Sequence, residues 1–439
     1  MRSLAQNRLS NDPSISATYP NMYRNISGAS IGTFMEYYDI GVYALVAPTI
    51  ALKFFPHENP AAATLSTFAI FALGFFARPL GGLVFGYIGD RFGRTHALTA
   101  ALLMMAVATV AIGCLPVWDA FGVFAPILLL VCRVVQSISV GGEFTGAAAY
   151  LIETTDPRKR GAVIGVLNAS VAIPFIFSIG IVFGISASMS DTSFGSWGWR
   201  IPFFLAAPLG LAGLYLRRRL RESDIFTEMK EAGEAVSNPL REGIRTQWPR
   251  ILLLFCAFIV TATSYYIFSA YMVTYATTTL GYSRSAALSM NGIATAIFAG
   301  AIVLAGCAAD RFGRRRVVLF GCISLVCLGI PSFLLLATGY FLLAVLGQAI
   351  FACCLAPIST GANIFAHELF PTPVRYSSVA LATNFAYAIF GGSAPFVATW
   401  LINMTHLNIA PALYTTAITA FSTVILSLFL KETRGVSLK

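Results

Sequence analysis

Twelve apolar runs divide the chain, at residues 25–52, 64–89, 97–115, 122–152, 161–187, 200–216, 251–276, 285–309, 317–338, 340–366, 377–403 and 411–430. A helix needs about 20 predominantly apolar residues to cross a bilayer, and these runs are of that order. Inside hydrocarbon no water is at hand for exposed backbone N–H and C=O groups, so each run must close its own hydrogen bonds as a helix. Only 11% of the 439 residues are charged, against roughly 25% in globular domains. The reading is an all-α membrane protein of twelve transmembrane helices. A soluble enzyme, a disordered tail protein and a disulfide-stapled secreted domain are excluded.

The basic residues set the orientation. The first 24 residues are polar and lack the apolar core of a signal peptide, which leaves the N-terminus in the cytoplasm. With that end inside, 24 of the 29 Lys and Arg residues fall in cytoplasmic segments and three (Lys53, Arg200, Arg284) fall outside. Such a split is a positive-inside signal, and it places both termini in the cytoplasm. The net charge of +10 therefore reflects topology, with no nucleic acid as partner. Trp118, Trp197, Trp199, Trp248 and Trp400 fall at span ends, where amphipathic rings belong. The eight cysteines lie within spans and read as small buried thiols, without disulfide or metal spacing. No metal or other cofactor is expected.

The chain is duplicated. GYIGDRFGRTH from Gly86 and GCAADRFGRRR from Gly306 place Asp90 and Asp310 at 220 residues' separation. YLIETTDPRKRG around Glu153 and Arg160 answers AHELFPTPVRY around Glu368 and Arg375, and LRES at Glu222 answers LKET at Glu432. Three matches in order at nearly constant offset imply two pseudo-symmetric six-helix bundles, an architecture that places a binding site near midplane between them. The organisation is a cytoplasmic tail over 1–24, bundles over 25–216 and 251–430, a cytoplasmic linker over 217–250 and a tail over 431–439. The linker carries eight basic and six acidic side chains and reads as a flexible or lightly helical tether.

These loops resemble the hallmark Gly-x-x-x-Asp-Arg-x-Gly-Arg-Arg of the major facilitator superfamily, met at Gly86, Asp90, Arg91, Gly93 and Arg94 and completed in the second copy through Arg315. Thr95 departs from the pattern in the first copy. Arg133 and Gln136 resemble the superfamily's Arg-x-x-Gln-Gly, with Ser137 in place of the glycine. MEYYD (35–39), RPLGG (78–82), SVGGEFTGA (139–147) and WGWRIPF (197–203) are similar to the metabolite:proton symporters. GGEFTGA and YYIFSAYMVTY look closest to proline/betaine transporters. The resemblance implies a proton-coupled secondary symporter, not an enzyme, in the bacterial inner (plasma) membrane. It would import a small carboxylate-bearing solute by alternating access, as a monomeric transport unit. Proline or glycine betaine is the leading substrate class. Organic acids of the citrate, 2-oxoglutarate or shikimate type, and a non-transporting membrane sensor of the same fold, are the alternatives. The Gly-Pro-x-x-Gly-Gly of drug antiporters is absent around Pro174, which favours import. GASIG (28–32) lacks the strand-turn-helix and histidine partner of a hydrolase, with His57, His96, His367 and His406 all read as loop residues. No phosphate-cradling Gly-x-x-x-x-Gly-Lys-Ser/Thr loop exists, so no nucleotide is a partner.

Five ionisable residues lie well inside spans: Glu36, Asp39, Arg78, Arg133 and Glu143. A charge at the bilayer centre costs roughly 2.5–3.5 kcal/mol or more, so such residues face a cavity or each other. Glu36 and Asp39 share one helix face and are the expected proton-coupling acids. Arg133, with Gln136 beside it, and Arg78 are expected at the substrate, since a guanidinium grips a carboxylate by a bidentate fork. A purely structural ion pair is the competing reading. Ser264, Phe268, Tyr271 and Tyr275 form a stripe in the seventh span, flanked by Tyr265 and Tyr266, and the first span adds Tyr37, Tyr38 and Tyr43. Rings such as Tyr37, Tyr43, Tyr265, Tyr266 and Tyr271 either line a cavity, where they hold a quaternary ammonium by cation–π attraction, or pack against lipid. A gating network is expected beneath each bundle: Asp90, Arg91 and Arg94 with Glu153 and Arg160, and Asp310, Arg311 and Arg314 with Glu368 and Arg375. Glu143 is expected to act with them. Exposed pairs are worth about 0–1 kcal/mol each, enough to bias a rocking equilibrium without locking it.

The orientation is directly testable. In intact cells Ser237→Cys should resist an impermeant thiol reagent added outside, whereas Asn59→Cys should react. External labelling at position 237 would overturn the span count.

Overall fold

In the computed structural model the described residues are 22–56, 59–81, 84, 94–140, 160–217, 239–370 and 372–435, and none of them forms a strand. Every apolar run contains a helix. The helices are α1 (Met22–Leu45, resumed as Ala47–Phe54), α2 (Pro60–Phe76), α3 (Arg94–Cys114), α4 (Phe124–Ser139), α5 (Arg160–Ser188) and α6 (Ala206–Arg217). After the linker come α7 (Pro239–Tyr266), α8 (Arg284–Phe312), α9 (Arg314–Leu336), α10 (Phe341–Glu368), α11 (Thr372–Ala386) and α12 (Ala410–Phe429). Among the described residues eight helices are long and apolar enough to span a membrane by themselves, with Thr99–Cys114 and Phe124–Ser139 as shorter apolar ones. The chain folds as an all-α, twelve-helix membrane protein.

Two helices depart from simple α-helical winding. α7 continues through π-helical turns at Ile267–Tyr271 and Tyr275–Thr279, and α11 through another at Tyr387–Gly391 before resuming at Ala394–Thr405. A π turn inserts one extra residue and rotates the helix beyond it, a device common at functional sites. It interrupts the regular winding on which the stripe read from α7 rests. Ser264, Phe268, Tyr271 and Tyr275 are all buried; Tyr271 and Tyr275 still meet, at 6.0 Å, while Phe268 meets Phe298 and Phe351, Tyr271 also meets Phe68, and Tyr275 also meets Phe333.

Several further sequence expectations are corrected. The segment from Gly306 to Arg316 is not a loop: α8 runs to Phe312, Gly313 breaks it with φ of 99°, and α9 begins at Arg314. A side chain at 313 would meet both an unfavourable φ and the Glu432 carboxylate, 2.4 Å from its Cβ. α7 starts at Pro239, so the last part of the expected linker is helical. Trp199 is fully buried against Phe54 and Phe203 with Arg200 stacked on it, not an interfacial anchor, whereas Trp197, Trp248 and Trp400 are exposed. Cys114, Cys307, Cys327 and Cys353 sit on exposed helix faces, and Cys256, Cys322 and Cys354 are buried as expected. His96 lies in the first turn of α3 and His367 is buried in the last turn of α10, neither in a loop.

Two seams join the halves of the chain. At one, α5 lies against α8 so closely that a Cβ on Gly161 would sit 2.4 Å from the Gly306 carbonyl, and one on Gly306 2.3 Å from that of Gly161. At the other, a Cβ on Gly392 would come 2.4 Å from Phe75 of α2. Small residues at such crossings let backbones touch, which drives helix association where lipid is as apolar as the side chains. Gly306→Val should force the first seam apart, since overpacking costs about 1–3 kcal/mol. The check is maleimide labelling of Ala309→Cys, a buried position, in a cysteine-free background. The expected rise is roughly tenfold, the factor that corresponds to 1.4 kcal/mol; unchanged labelling would show that the seam tolerates the added volume.

Candidate functional site

The charged centre lies on α1, where Glu36 and Asp39, three residues apart, occupy one flank. Each has a different arginine. Asp39 Oδ2 accepts from Arg133 Nη1 of α4 at 2.8 Å, with the two side chains only 4% and 2% exposed. Glu36 Oε1 accepts from Arg78 Nη2, just beyond α2, with side chains 7% and 11% exposed. α2 reaches α4 because Gly74 and Gly81 face it: a Cβ at 74 would meet Arg133 at 3.3 Å, and one at 81 the Ile138 carbonyl at 2.0 Å. The RPLGG stretch is thus the closest point of a helix crossing.

The Asp39–Arg133 pair is enclosed within the first half. Gln136 Nε2 donates to Asp39 Oδ1 and, at 2.8 Å, to Thr109 Oγ1, while Arg133 Nη1 also donates to Gln136 Oε1 at 2.8 Å. Thr109 Oγ1 lies 2.9 Å from both Asp39 Oδ1 and the Met105 carbonyl oxygen, with one proton to donate between them. Arg133 stands over the rings of Tyr43, at 4.5 Å, and Phe71, at 5.2 Å. Tyr43 gives its own hydroxyl proton to the Thr67 carbonyl at 3.0 Å. Such a pair survives in a dry interior because further hydrogen bonds satisfy the charges.

The Glu36–Arg78 pair faces the second half instead. Arg78 lies 5.1 Å over Phe75, whose ring is 5.1 Å from Tyr266 of α7. Tyr266 contacts Tyr265 at 5.6 Å and Tyr387 at 6.1 Å, and Tyr265 reaches Tyr37 of α1 at 6.5 Å. Tyr266 and Tyr387 stand within electrostatic reach of both charges of the pair. The cavity between the two pairs, lined by Glu36, Asp39, Phe75, Arg78, Arg133 and Gln136, is only about 10 Å³, at the threshold for one water molecule. A solute enters only when this region opens.

Of the expected site residues, Glu36, Asp39, Arg78, Arg133, Gln136, Tyr37, Tyr43, Tyr265 and Tyr266 come together here. Tyr271 does not; it packs on Phe68, away from the charges. Sequence reasoning missed Thr109, Phe75 and Tyr387. Thr109 left no signal, but the Gly391–Gly392 doublet marked the close approach that brings Tyr387 in.

The expected gating residues form a network that crosses the halves. Glu368 is held by Arg314 Nε and Nη2 at 3.3 and 3.2 Å, by the Thr433 hydroxyl at 2.6 Å, and by Arg160 of the first half at 3.8 Å. Asp310 pairs with Arg314 at 3.1 Å and accepts from the Gly161 and Ala162 N–H groups at 2.9 Å, so it caps α5 from the opposite half. Arg160 therefore reaches across to Glu368, a contact the sequence grouping by halves did not include. Arg311 lies 5.4 Å over Phe312. Asp90, Arg91, Glu143 and Glu153 lie outside the described residues, as do the side chains of Arg94 and Arg375. At the opposite end Arg284 approaches Asp191 at 3.7 Å and Thr49 at 3.5 Å, a second cross-half tie.

The family profile described as Major Facilitator Superfamily matches residues 29–395. The chain is 36% identical over 428 residues to the glycine betaine/proline/ectoine/pipecolic acid transporter OusA of Dickeya dadantii, covering 94% of this chain and 84% of that protein. It is 35% identical over 426 residues to the proline/betaine transporter of Escherichia coli, with the same coverage of 94% and 84%. Its fold matches the xylose transporter XylE of Escherichia coli in a partially occluded inward open conformation. The TM-score is 0.77 at 17% identity, over 95% of this chain and 99% of that one. A duplicated twelve-helix chain with these loop motifs, this fold and these relatives belongs to the major facilitator superfamily.

Proposed function

We propose that the chain is a proton-coupled symporter that imports a small zwitterion, of the proline or glycine betaine class, by alternating access. The observation that carries this reading is a pair of buried carboxylate–arginine couples at mid-span, one of them facing an aromatic wall from the other half. The names of the relatives, proline/betaine transporters, support the substrate class. The proton rides on the acidic pair of α1, through Asp39 in the first place. When Asp39 is ionised it holds Arg133, Gln136 and Thr109; protonation removes the charge that binds Arg133 and loosens α1 from α4. The seams at α5–α8 and α2–α11 then open in alternation. The basic residues support two bundles over 25–216 and 251–430, with the linker and both termini in the cytoplasm.

A second reading, an organic-acid symporter, draws on one observation: Arg78 and Arg133 line the same small cavity, and two cations suit a di- or tricarboxylate.

Uptake by energised proteoliposomes decides between them, with labelled proline, glycine betaine, citrate, 2-oxoglutarate and shikimate as the arms. Accumulation of the zwitterions is expected. Asp39→Asn should lose uphill accumulation and retain downhill exchange. Arg133→Lys should weaken both, since an ammonium cannot reproduce the planar fork. Normal uphill accumulation by Asp39→Asn and Glu36→Gln would remove the acids from the proton pathway. Uptake of the acids alone would favour the second reading, and no uptake of any solute would favour a sensor.

A further inference from the structure

The two buried couples differ in what surrounds them, and the difference separates their roles. Every described partner of Asp39 and Arg133 (Thr109, Gln136, Tyr43, Phe71) belongs to the first half. Relative motion of the halves leaves that set intact. Arg78 instead lies over Phe75, which packs on Tyr266 of α7, and Tyr266 packs in turn on Tyr387 of the α11 π turn. Arg133 approaches that boundary through Phe71, 6.0 Å from Tyr266, but its carboxylate and hydrogen-bond partners stay within the first half.

We propose that the Glu36–Arg78 couple, walled by Tyr37, Tyr265, Tyr266 and Tyr387, is itself the solute subsite, and that a zwitterion binds by exchange with it. The solute's carboxylate takes Arg78 while its ammonium takes Glu36 and the ring faces. This rests on the zwitterion reading above and deepens it, leaving Asp39–Arg133 to the proton.

Three observations carry the exchange. Arg78 has a donor in reserve: its Nε is buried without a hydrogen-bond partner among the described residues, so an incoming carboxylate gains a side-on fork. Arg133 Nε is likewise unpartnered, but two rings, Tyr43 and Phe71, lie against that guanidinium where Arg78 has Phe75 alone. Next, the tyrosine wall has corners. Tyr266 meets Phe75 at 84°, Tyr265 at 86° and Tyr387 at 82°, and Tyr265 meets Tyr37 at 87°. The small cavity beside the couple is lined by Phe75 and by none of these tyrosines, so their faces reach a quaternary ammonium when the edge-to-face contacts part. Glycine keeps the tyrosine wall tight, since a Cβ on Gly391 would lie 3.0 Å from the Tyr266 ring. Finally, the exchange conserves charge. A neutral couple is replaced by two neutral couples, whereas a lone anion or lone cation leaves a buried charge unanswered, which a low-dielectric interior penalises heavily.

The test is competition against glycine betaine counterflow in proteoliposomes. The competitors are 3,3-dimethylbutanoate, which has the same shape and carboxylate with a neutral tert-butyl end, and choline, which has the cation without the carboxylate. Wild type should prefer glycine betaine over either by roughly 100-fold, the order for an unanswered buried charge. Glu36→Gln should shrink the preference over dimethylbutanoate to within about tenfold, and Arg78→Gln the preference over choline likewise. Tyr387→Leu should weaken glycine betaine but not dimethylbutanoate, with recovery in Tyr387→Phe; this arm carries the test if a charge variant fails to insert. Zwitterion counterflow with unchanged ratios in all these variants overturns the subsite and leaves the proposed function standing. A wild type that counterflows only organic acids overturns the proposed function itself.

Discussion

An arginine in the middle of a bilayer has to be answered by a carboxylate, and that requirement organises this molecule. Arg133 is nearly inaccessible, and the groups around it are drawn from four helices: Asp39 and Tyr43 from α1, Phe71 from α2, Thr109 from α3, Gln136 from α4. Satisfying one desolvated cation thereby fixes how α1, α2, α3 and α4 sit against each other. The glycines at 74 and 81 are the geometric complement, since a Cβ at either would push α2 away from α4. Two ion pairs at this depth are expensive to assemble and more expensive to half-remove. That asymmetry suits groups whose partners change one at a time.

The cross-half contacts have a different character. At the α5–α8 seam the backbones touch through Gly161 and Gly306, and Asp310 caps the N-terminus of α5. A helix N-terminus carries partial positive charge and free N–H groups, so a carboxylate there is well placed. Because the cap comes from the opposite half, it is lost as a unit when the seam opens. Glu368 adds a second tie by accepting from Arg314 of its own half and lying 3.8 Å from Arg160 of the other. The shorter contacts hold Glu368 in place within its half; the longer one spans the joint. The C-terminal segment is drawn into the same cluster, with the Glu432 carboxylate accepting from the Arg314 N–H at 2.9 Å and Thr433 donating to Glu368.

How much of this is legible in the sequence depends on which forces leave periodic traces. Hydrophobicity does, so every span is visible there, and duplication does, so the two-bundle architecture is visible too. Charges inside spans stand out against their background, which singles out Glu36, Asp39, Arg78 and Arg133 as a group. Their pairing is not legible, because which acid meets which arginine depends on helix rotation and crossing distance. Thr109 is invisible for the same reason: a threonine in an apolar run resembles any other until something donates to it. The α7 stripe is legible only in part: Tyr271 and Tyr275 do meet, but the spacing assumes uninterrupted α-helical winding, and two π turns break it. Trp199 is misplaced because span ends are not all at the interface; this one folds back under α1 against Phe54.

The need to answer every buried charge also bears on how little space lies between the two couples. With both seams shut, the cavity between the couples is near 10 Å³, far below the few hundred cubic ångströms typical of a small-molecule pocket. Charges that wait for a ligand in a water-free interior must meanwhile satisfy one another, so an empty, occluded carrier for a charged solute needs an internal surrogate for it. Glu36 and Arg78 have that form: one anion and one cation, with aromatic faces beside them. A surrogate of matched polarity lets the empty protein pass through the occluded state without an unanswered charge, as a carrier must do on its return journey. It also sets a limit on affinity, because the solute gains only the difference between its own contacts and those of the pair it displaces. If a zwitterion binds by the proposed exchange, moderate affinity with high selectivity for matched charge follows from the dry interior rather than from any particular solute.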